Sequence, residues 1–341
     1  MQIATIGIDI AKHVFQIHGV SPDGHVVLQK RLRRTDVLRF FEQLDACLIG
    51  MEACATAHHW ARELEALGHR VKLMPPTYVK AYIRRNKNDA ADAEAICEAV
   101  SRPTMRFVPI KSVDQQGILV THRVRSILIR QRTMMANALR SHMAEFGIIV
   151  RQGLKAIREL AAMIEDPRLS LPTSARNALQ LLVLQLEEVD QRIRAVETQL
   201  VAWHRADETS RRLASIPGVG PVTASAIAAT VGDAAQFKSA REFAAWLGLT
   251  PRQKASGNKN VLSGITKRGD KYLRRLLISG AMSIIRYSRT KPTPERAWVT
   301  GLLQRRPAKV AAVALANKTA RIIWALMTRQ EAYRATHAVA A

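Results

Sequence analysis

Apolar positions in the first third of the chain alternate between short strand-like runs and helical stripes. Runs rich in branched apolar residues predict five strands, at 3–8, 14–20, 25–32, 47–51 and 70–74. The turn residues 21–24, Ser-Pro-Asp-Gly, join the second and third runs, so we expect the first three strands to form an antiparallel meander. Together with the helical stretches between the later runs, this order predicts an α/β domain with a mixed sheet over residues 1–110.

The next stretch, 111–210, has few turn residues and long helical patterns. An apolar stripe with alternating steps of three and four lies at Leu179, Leu182, Leu186, Val189, Ile193, Val196, Leu200 and Trp203. This seam predicts a helical coiled-coil connector. It fits equally a hairpin of two helices within one chain. A weaker stripe precedes it, at Val120, Val124, Ile127, Met134 and Ala138.

Residues 211–330 predict an all-α domain, and 331–341 form a tail. The sequence Ile216-Pro217-Gly218-Val219-Gly220 before an apolar helix indicates a helix-hairpin-helix motif, whose turn amides can bind a DNA phosphate. An ordinary turn between helices is the alternative. We predict a polar loop at 250–259, and a basic segment follows it, with Lys267, Arg268, Lys271, Arg274 and Arg275.

The charge balance indicates a nucleic-acid partner. The chain carries 52 Lys and Arg against 28 Asp and Glu, for a formal net charge of +24. No apolar run reaches the ~18 residues that a membrane span needs, so we expect no membrane partner and a cytoplasmic protein. The cysteines, Cys47, Cys54 and Cys97, are odd in number and unclustered, which indicates reduced thiols rather than zinc ligands or disulfides.

Four acidic residues stand out in this basic chain. Asp9 follows the first apolar run and Glu52 follows the fourth, while Asp89 and Asp92 share one face at the start of a helical stretch. Carboxylate oxygens are the ligands that Mg²⁺ prefers. Two such ions about 3.5–4 Å apart can flank a phosphate that is being cleaved. For the helical pair, the alternative is that Asn88 caps the helix and the acids favour its dipole.

Seven short motifs follow one another along nearly the whole chain. They are Gly7-Ile8-Asp9-Ile10-Ala11-Lys12, Met51-Glu52-Ala53-Cys54, Lys87-Asn88-Asp89-Ala90-Ala91-Asp92-Ala93, Ala144-Glu145-Phe146-Gly147, Ile216-Pro217-Gly218-Val219-Gly220, Gly248-Leu249-Thr250-Pro251-Arg252 and Gly264-Ile265-Thr266-Lys267-Arg268-Gly269-Asp270. In these motifs the chain resembles DEDD-type transposases of the insertion-sequence-110 family, in its eleven-eleven subgroup. The first domain resembles the ribonuclease-H/RuvC-like nuclease fold.

This resemblance implies a DNA recombinase that mobilises its own element. It implies that Asp9, Glu52, Asp89 and Asp92 form a catalytic metal tetrad for Mg²⁺, and that Ser256 in the C-terminal domain forms a covalent link to DNA. It also implies a bridge RNA as partner beside DNA. Because strand exchange needs at least two cleavage centres, we expect a homo-oligomer, a dimer or a tetramer.

The residues that we expect to contact nucleic acid are basic side chains and turn glycines. They are Lys12, Arg84, Arg85, Lys87, Gly218, Gly220, Arg252, Lys254, Lys259, Lys267 and Arg268. Among them, Lys254, Lys259 and Lys267 would offset the phosphate charge beside Ser256. Ser263 and Thr266 are nearby hydroxyls that compete with Ser256 for the nucleophile role.

Three other functions remain open from the sequence. A metal-dependent, junction-resolving nuclease would need the four acids but not Ser256. An architectural DNA binder without enzymatic activity would need neither. A sugar-kinase-like ATPase shares the Gly7-Ile8-Asp9 strand and the meander, but the chain lacks a glycine-rich nucleotide loop.

Overall fold

The structure is a computed structural model, and it describes residues 2–82, 89–256, 259–290 and 297–334. The side chains of Asp89, Leu154, 254–262 and 289–290 are outside this description. The chain divides into two compact units, Met1–Ser112 and Val113–Ala341.

The first unit is built on a five-stranded mixed sheet. Its strands are β1 (Thr5–Ile10), β2 (Val14–Val20), β3 (Val26–Arg33), β4 (Leu48–Glu52) and β5 (Arg70–Met74), and its helices are α1 (Val37–Phe41), α2 (Ala57–Ala66), α3 (Pro76–Val79) and α4 (Asp89–Val100). The strand order is β3-β2-β1-β4-β5. β2 is antiparallel to both β1 and β3, whereas β4 is parallel to both β1 and β5. The predicted meander and mixed α/β domain are confirmed.

The two faces of this sheet are covered by different helices. One face carries Ile8, Ile49 and Phe15, which form a buried core with residues of α1 and α2. The other face carries Met74, which packs with Ile96 and other residues of α4. Because side chains alternate along a strand, the acids of β1 and β4 are on the face that α4 covers.

Helix α4 lies unusually close to the sheet because glycines stand beneath it. A Cβ atom on Gly7 would come within 2.2 Å of the Ala93 carbonyl oxygen and 2.4 Å of the Cys97 amide nitrogen. A Cβ atom on Gly50 would come within 2.8 Å of the Val100 side chain. Any larger residue at these two positions would push the helix away from β1 and β4.

The second unit is mainly helical. It contains α5 (Val113–Ala144), α6 (Leu154–Glu165), α7 (Thr173–Ala206), α8 (Glu208–Ala214), α9 (Pro221–Val231), α10 (Ala240–Trp246), β6 (Pro251–Ser256), β7 (Lys259–Ile265), α11 (Lys271–Thr290), α12 (Ala297–Leu303) and α13 (Ala308–Arg329). The helical prediction is confirmed in outline. The prediction of an all-α domain is wrong, because the predicted polar loop at 250–259 lies mostly within an antiparallel hairpin of β6 and β7. Backbone hydrogen bonds between the two strands satisfy groups that a loop would leave to water.

The long helices α5 and α7 pack against each other within the chain. The stripe of α7, including Leu186 and Ile193, lies in one core with Leu128 and Leu139 of α5. The intrachain hairpin therefore exists, and a coiled coil between chains stays a prediction.

The predicted stripe of α5 is on the wrong face of that helix. Val120, Val124, Ile127 and Met134 are exposed, whereas the packed face carries other residues, among them Met135. Helix α5 has apolar residues on two faces, and their spacing alone does not select the covered one.

Helix α13 has the length and composition of a membrane-spanning segment, although it was not predicted as one. Its most apolar stretch is 44% buried inside the unit. Ala312, Ala316 and Ala320 are part of the core that α13 shares with α9, α10 and α11. Small residues at this spacing allow close helix packing in an ordinary protein interior.

We predict that Gly7→Ala loosens the first unit. Its new Cβ would clash with backbone atoms of α4, and overpacking of this kind costs about 1–3 kcal/mol. Hydrogen exchange of the β1 and α4 amides, followed by mass spectrometry, should show faster exchange. The matched control is Gly117→Ala on α5, where nothing lies within 4 Å and a helical alanine should stabilise by about 0.5–1 kcal/mol. Unchanged hydrogen exchange in the Gly7→Ala variant would contradict the close packing of α4 on the sheet.

Candidate functional site

Asp9 and Glu52 are neighbours at the ends of two parallel strands. The register of β1 and β4 pairs Gly7 with Gly50 and Ile8 with Met51, so the next position places Asp9 beside Glu52. Both residues are partly buried. The sequence places each acid just after its strand, whereas in the structure both acids belong to the strands.

The thiol of Cys54 lies in the field of both of these carboxylates. Burial raises the pKa of the Cys54 thiol, and the negative charges of Glu52 and Asp9 raise it further. A thiol that feels both charges is near both side chains. The edge of the sheet at the ends of β1 and β4 therefore concentrates negative charge in a basic protein.

Helix α4 directs its first turn toward the same edge. Cys97 contacts the Thr5 carbonyl through its thiol at 3.7 Å, and Ala93 lies over Gly7, so the helix runs opposite to β1. Asp92 is one turn before Ile96, which is buried against the sheet, so Asp92 is on the side of α4 that faces the sheet. Its Oδ1 atom is buried and has no hydrogen-bond partner among the described residues.

The donor chemistry of this edge fits a divalent cation. A buried carboxylate oxygen without a partner is costly unless a cation or a donor satisfies it. The carboxylate oxygens of Asp9, Glu52 and Asp92 are of the kind that Mg²⁺ prefers. Within the described residues, however, no three His, Cys, Asp or Glu side chains are close enough together to hold a metal ion. The side chain of the fourth predicted ligand, Asp89, lies outside the described residues.

In the second unit, Ser256 is at the far end of the β6–β7 hairpin. It is the last residue of β6 and pairs with Lys259. At the base of the hairpin, the Thr266 amide donates to the Thr250 carbonyl at 2.9 Å. The side chains of Ser256, Lys254 and Lys259 lie outside the described residues.

The two competing hydroxyls occupy different places in this hairpin. Ser263 pairs with Arg252, and its hydroxyl donates to the Arg252 carbonyl at 3.4 Å. The Thr266 hydroxyl is buried and has no hydrogen-bond partner among the described residues. Neither one lies at the hairpin end where Ser256 stands.

Arg274 joins the two chain segments that lead into the hairpin. Its Nη1 atom donates to the Leu247 carbonyl at 2.9 Å and to the Arg268 carbonyl at 2.8 Å. Only 8% of Arg274 is exposed. The sequence placed Arg274 in a basic segment, and the structure buries it as a support of the hairpin. Its structural role depends on hydrogen bonds to residues elsewhere in the chain, which the sequence does not show.

The predicted helix-hairpin-helix sequence connects α8 and α9 by a tight turn. Gly218 has a φ of +81°, which glycine adopts without strain. A Cβ atom on Gly280 of α11 would come within 2.0 Å of the Gly218 carbonyl, so the turn rests directly on that helix. A groove of about 540 Å³ borders the turn, and its hydroxyl groups come from Ser215, Thr223, Ser279 and Ser283.

The predicted nucleic-acid contacts are spread over both units. Lys12 is exposed in the turn after β1, Arg252 is exposed on β6, and Lys267 and Arg268 are exposed after β7. Gly220 is the exposed residue just before α9. Arg84, Arg85 and Lys87 lie outside the described residues.

A polar network around the buried His122 connects four helices of the second unit, α5, α7, α9 and α11. His122 of α5 is 2% exposed, and its ring nitrogens bond the Tyr272 hydroxyl at 3.0 Å and the Ser225 hydroxyl at 3.2 Å. Burial and, to a lesser extent, the charge of Arg125 together lower the pKa of His122 to about 4. Arg125 in turn donates to Glu197 of α7 at 2.6 and 2.8 Å. The sequence analysis missed this network, because its members are far apart in the chain.

Comparisons with known proteins match this chain over most of its length. A family model described as "Transposase IS116/IS110/IS902 family" matches residues 210–295, and a DEDD transposase model of the IS110 type matches residues 6–148. The chain is similar to a "Probable family 20 transposase" of Pseudomonas aeruginosa, with 50% identity over 98% of this chain and 99% of that protein.

Two further relatives are transposases of named insertion sequences. The IS1111A transposase of Coxiella burnetii is 41% identical over 97% of this chain and 92% of its own length. The IS1328 transposase of Yersinia enterocolitica is 41% identical over 96% of this chain and 97% of its own length. The chain belongs to the IS110/IS116/IS902 family of DEDD transposases. It is therefore a DNA-acting enzyme, and the predicted family is confirmed.

We predict that His122 makes the second unit sensitive to acid. Its folded pKa of about 4 is below the value of 6.5 for a free side chain, so the unfolded state binds more protons between these values. The contribution of neutral His122 to the free energy of unfolding is therefore fully present above about pH 6.5. It falls by about 3 kcal/mol as the pH drops to about 4. Urea unfolding at a series of pH values checks this.

The matched variants for this test lie on the same helix. His122→Gln should be less stable at pH 7 and should lose most of the pH dependence in this range. His142→Gln, at an exposed position of α5, should keep it. Equal pH profiles for both variants would contradict the role of His122.

Proposed function

We propose that this transposase excises and inserts its own insertion sequence by Mg²⁺-dependent cleavage and exchange of DNA strands through a covalent Ser256–DNA intermediate. The observation that carries the metal-dependent part is the position of Asp9 and Glu52 on neighbouring strands, on the sheet face against which α4 packs. On that helix, Asp92 has a buried carboxylate oxygen with no hydrogen-bond partner among the described residues. The strand order of the first unit and its acids on β1, β4 and α4 support a ribonuclease-H/RuvC-like assignment.

In this proposal the carboxylates of Asp9, Glu52, Asp89 and Asp92 hold the metal. Bound Mg²⁺ would supply Lewis-acid stabilisation of the charge that develops on the phosphate oxygens. Asp9 and Glu52 are held by β1 and β4, so their backbone separation is set by the spacing of neighbouring strands, about 4.8 Å. Asp92 is held by α4, whose position depends on Gly7 and Gly50.

We predict that Asp9→Asn abolishes strand cleavage while DNA binding stays near that of the wild type. The amide keeps the shape of the side chain but removes a negative metal ligand. Cleavage of labelled DNA in Mg²⁺ and binding to the same DNA measure the two effects. The control is Asp23→Asn, an exposed residue of the β2–β3 turn, which should cleave normally. Full cleavage by Asp9→Asn would rule out this metal site.

The second part of the proposal assigns the nucleophile to Ser256. Its hydroxyl oxygen bonds to the phosphorus, one DNA oxygen leaves with a proton, and a second DNA hydroxyl later displaces the serine. The phosphodiester energy is kept in the phosphoserine, so rejoining needs no ATP. Support comes from the position of Ser256 at the end of a hairpin whose base is held by Arg274.

We predict that Ser256→Ala eliminates the protein–DNA adduct on a denaturing gel together with strand exchange. The loss of one hydroxyl at the end of a hairpin should change stability by less than about 0.5 kcal/mol. Ser263→Ala, on the opposite strand of the same hairpin, is the matched control and should form the adduct normally. An adduct with Ser256→Ala would transfer the role to Ser263 or Thr266. No adduct in a wild type that cuts DNA would favour the junction-resolving nuclease.

The proposal also includes the partners and the assembly. The turn at Gly218 and Gly220 would bind a DNA phosphate through its amides, as a helix-hairpin-helix motif does. Lys12, Arg252, Lys267 and Arg268 are exposed and would contact DNA or a bridge RNA. The enzyme would act in the cytoplasm as a homo-oligomer, since strand exchange needs two cleavage centres.

A further inference from the structure

A row of paired residues crosses three strands of the first unit at the level of Asp9. Asp9 pairs with Gln16 of β2, and Gln16 pairs with Arg31 of β3. Directly paired residues project from the same face of a sheet, so Asp9, Gln16 and Arg31 share the face that also carries Glu52. Arg33 is two residues further along β3 and is on this face as well.

This row is more exposed than the row before it, which α4 buries. One step back along the strands, Gly7 pairs with His18, and both are buried beneath the helix. Burial lowers the pKa of His18, which is consistent with its cover. In the next row, by contrast, Gln16 is partly exposed, and both Arg31 and Arg33 are exposed. Solvent therefore reaches the sheet face from the acids to its edge.

The two arginines of this row have positive charge available for an external partner. Neither Arg31 nor Arg33 forms an ion pair with a carboxylate in the part of the chain that the structure describes. They belong to β3, which is the edge strand of the sheet. Arginine offers several N–H donors in a fixed plane that matches the oxygens of a phosphate.

The row is long enough to meet more than one phosphate of a nucleic-acid strand. Two strand spacings separate Asp9 from Arg31, which is about 10 Å between their backbones. A DNA strand in a duplex carries one phosphate for every ~3.4 Å of axis. A strand that has one phosphate at the carboxylates therefore has further phosphates within reach of Gln16, Arg31 and Arg33.

We infer that Gln16, Arg31 and Arg33 form a binding site for the phosphates of the DNA strand that is being cleaved, next to the phosphate at Asp9 and Glu52. This inference rests on the proposed function, because it takes those carboxylates as the cleavage centre. We assign the DNA strand as the ligand of this row. The row continues directly from the carboxylates, so the strand that is cleaved there also lies along the row. The site holds the strand across the sheet face while the carboxylates act on it.

Salt dependence of DNA binding tests this site with a neighbouring residue as control. The probes are a fluorescent mixed-sequence 20-nucleotide DNA strand and the same sequence as RNA, and anisotropy gives the affinity of the full chain at several NaCl concentrations. For single strands, the slope of log affinity against log salt is negative, and each lost phosphate contact makes it less steep by about 0.7. Arg31→Gln should lose about that amount with the DNA probe, and Arg31→Lys should recover most of it.

Lys30→Gln is the matched control. Lys30 is exposed, is adjacent on β3 and loses the same charge, but it is on the opposite face, with its Nζ atom 4.8 Å from the Phe40 ring centre. It should leave the slope unchanged. If Arg31→Gln and Lys30→Gln lose the same amount of salt dependence, the effect is one of general charge and the site is refuted. The site is also refuted if neither Arg31→Gln nor Arg33→Gln changes the salt dependence.

The probes also separate this inference from the proposed function. If the loss appears with RNA but not with DNA, the row binds a guide and the assignment to the cleaved strand is wrong. If the wild type binds neither probe in a salt-dependent way, the proposed function itself fails. If the wild type binds DNA and Asp9→Asn abolishes its cleavage, while Arg31→Gln behaves like Lys30→Gln, only the row is refuted.

Discussion

The close packing of α4 on the sheet is the contact on which the arrangement of the first unit depends. Gly7 and Gly50 have no Cβ atoms, and the helix backbone occupies the space where those atoms would be. This approach buries His18 and Cys97, and burial raises the pKa of the Cys97 thiol to about 11. It also fixes the height of Asp92 above the strand ends. A helix displaced by a few tenths of an ångström would no longer present that carboxylate at the same place.

In the second unit, buried polar groups fix how the helices and the hairpin pack together. His122 bonds hydroxyls of α9 and α11, and Arg274 bonds two carbonyls on either side of the hairpin. Such groups are costly to bury unless their hydrogen bonds are made, so each one specifies a particular arrangement of the chain. The hairpin that carries Ser256 thus extends from a base whose geometry is set by hydrogen bonds rather than by apolar packing alone.

The charge of the protein is distributed unevenly, and this has a physical consequence. With a net charge of +24, most of the surface attracts a polyanion. At the ends of β1 and β4, however, Asp9 and Glu52 place negative charge, which adds to burial in raising the pKa of the Cys54 thiol. In the proposed function, a cation would offset this negative charge when a phosphate binds there, so DNA binding and DNA cleavage would respond differently to a divalent metal.

The alternation of apolar residues determined the strands of the first unit and placed Asp9 and Glu52 at their ends, because each of these patterns is local. The seven motifs determined the family. Only the tertiary structure decided that α7 packs on α5 within the chain, that Val120 and Ile127 face solvent, and that Arg274 is buried. It also decided that 251–256 and 259–265 pair as antiparallel strands, although the sequence Gly257-Asn258 between two short runs is a hairpin signal that the sequence analysis overlooked. Periodicity shows that a face is apolar, but which residues cover it depends on contacts between distant parts of the chain.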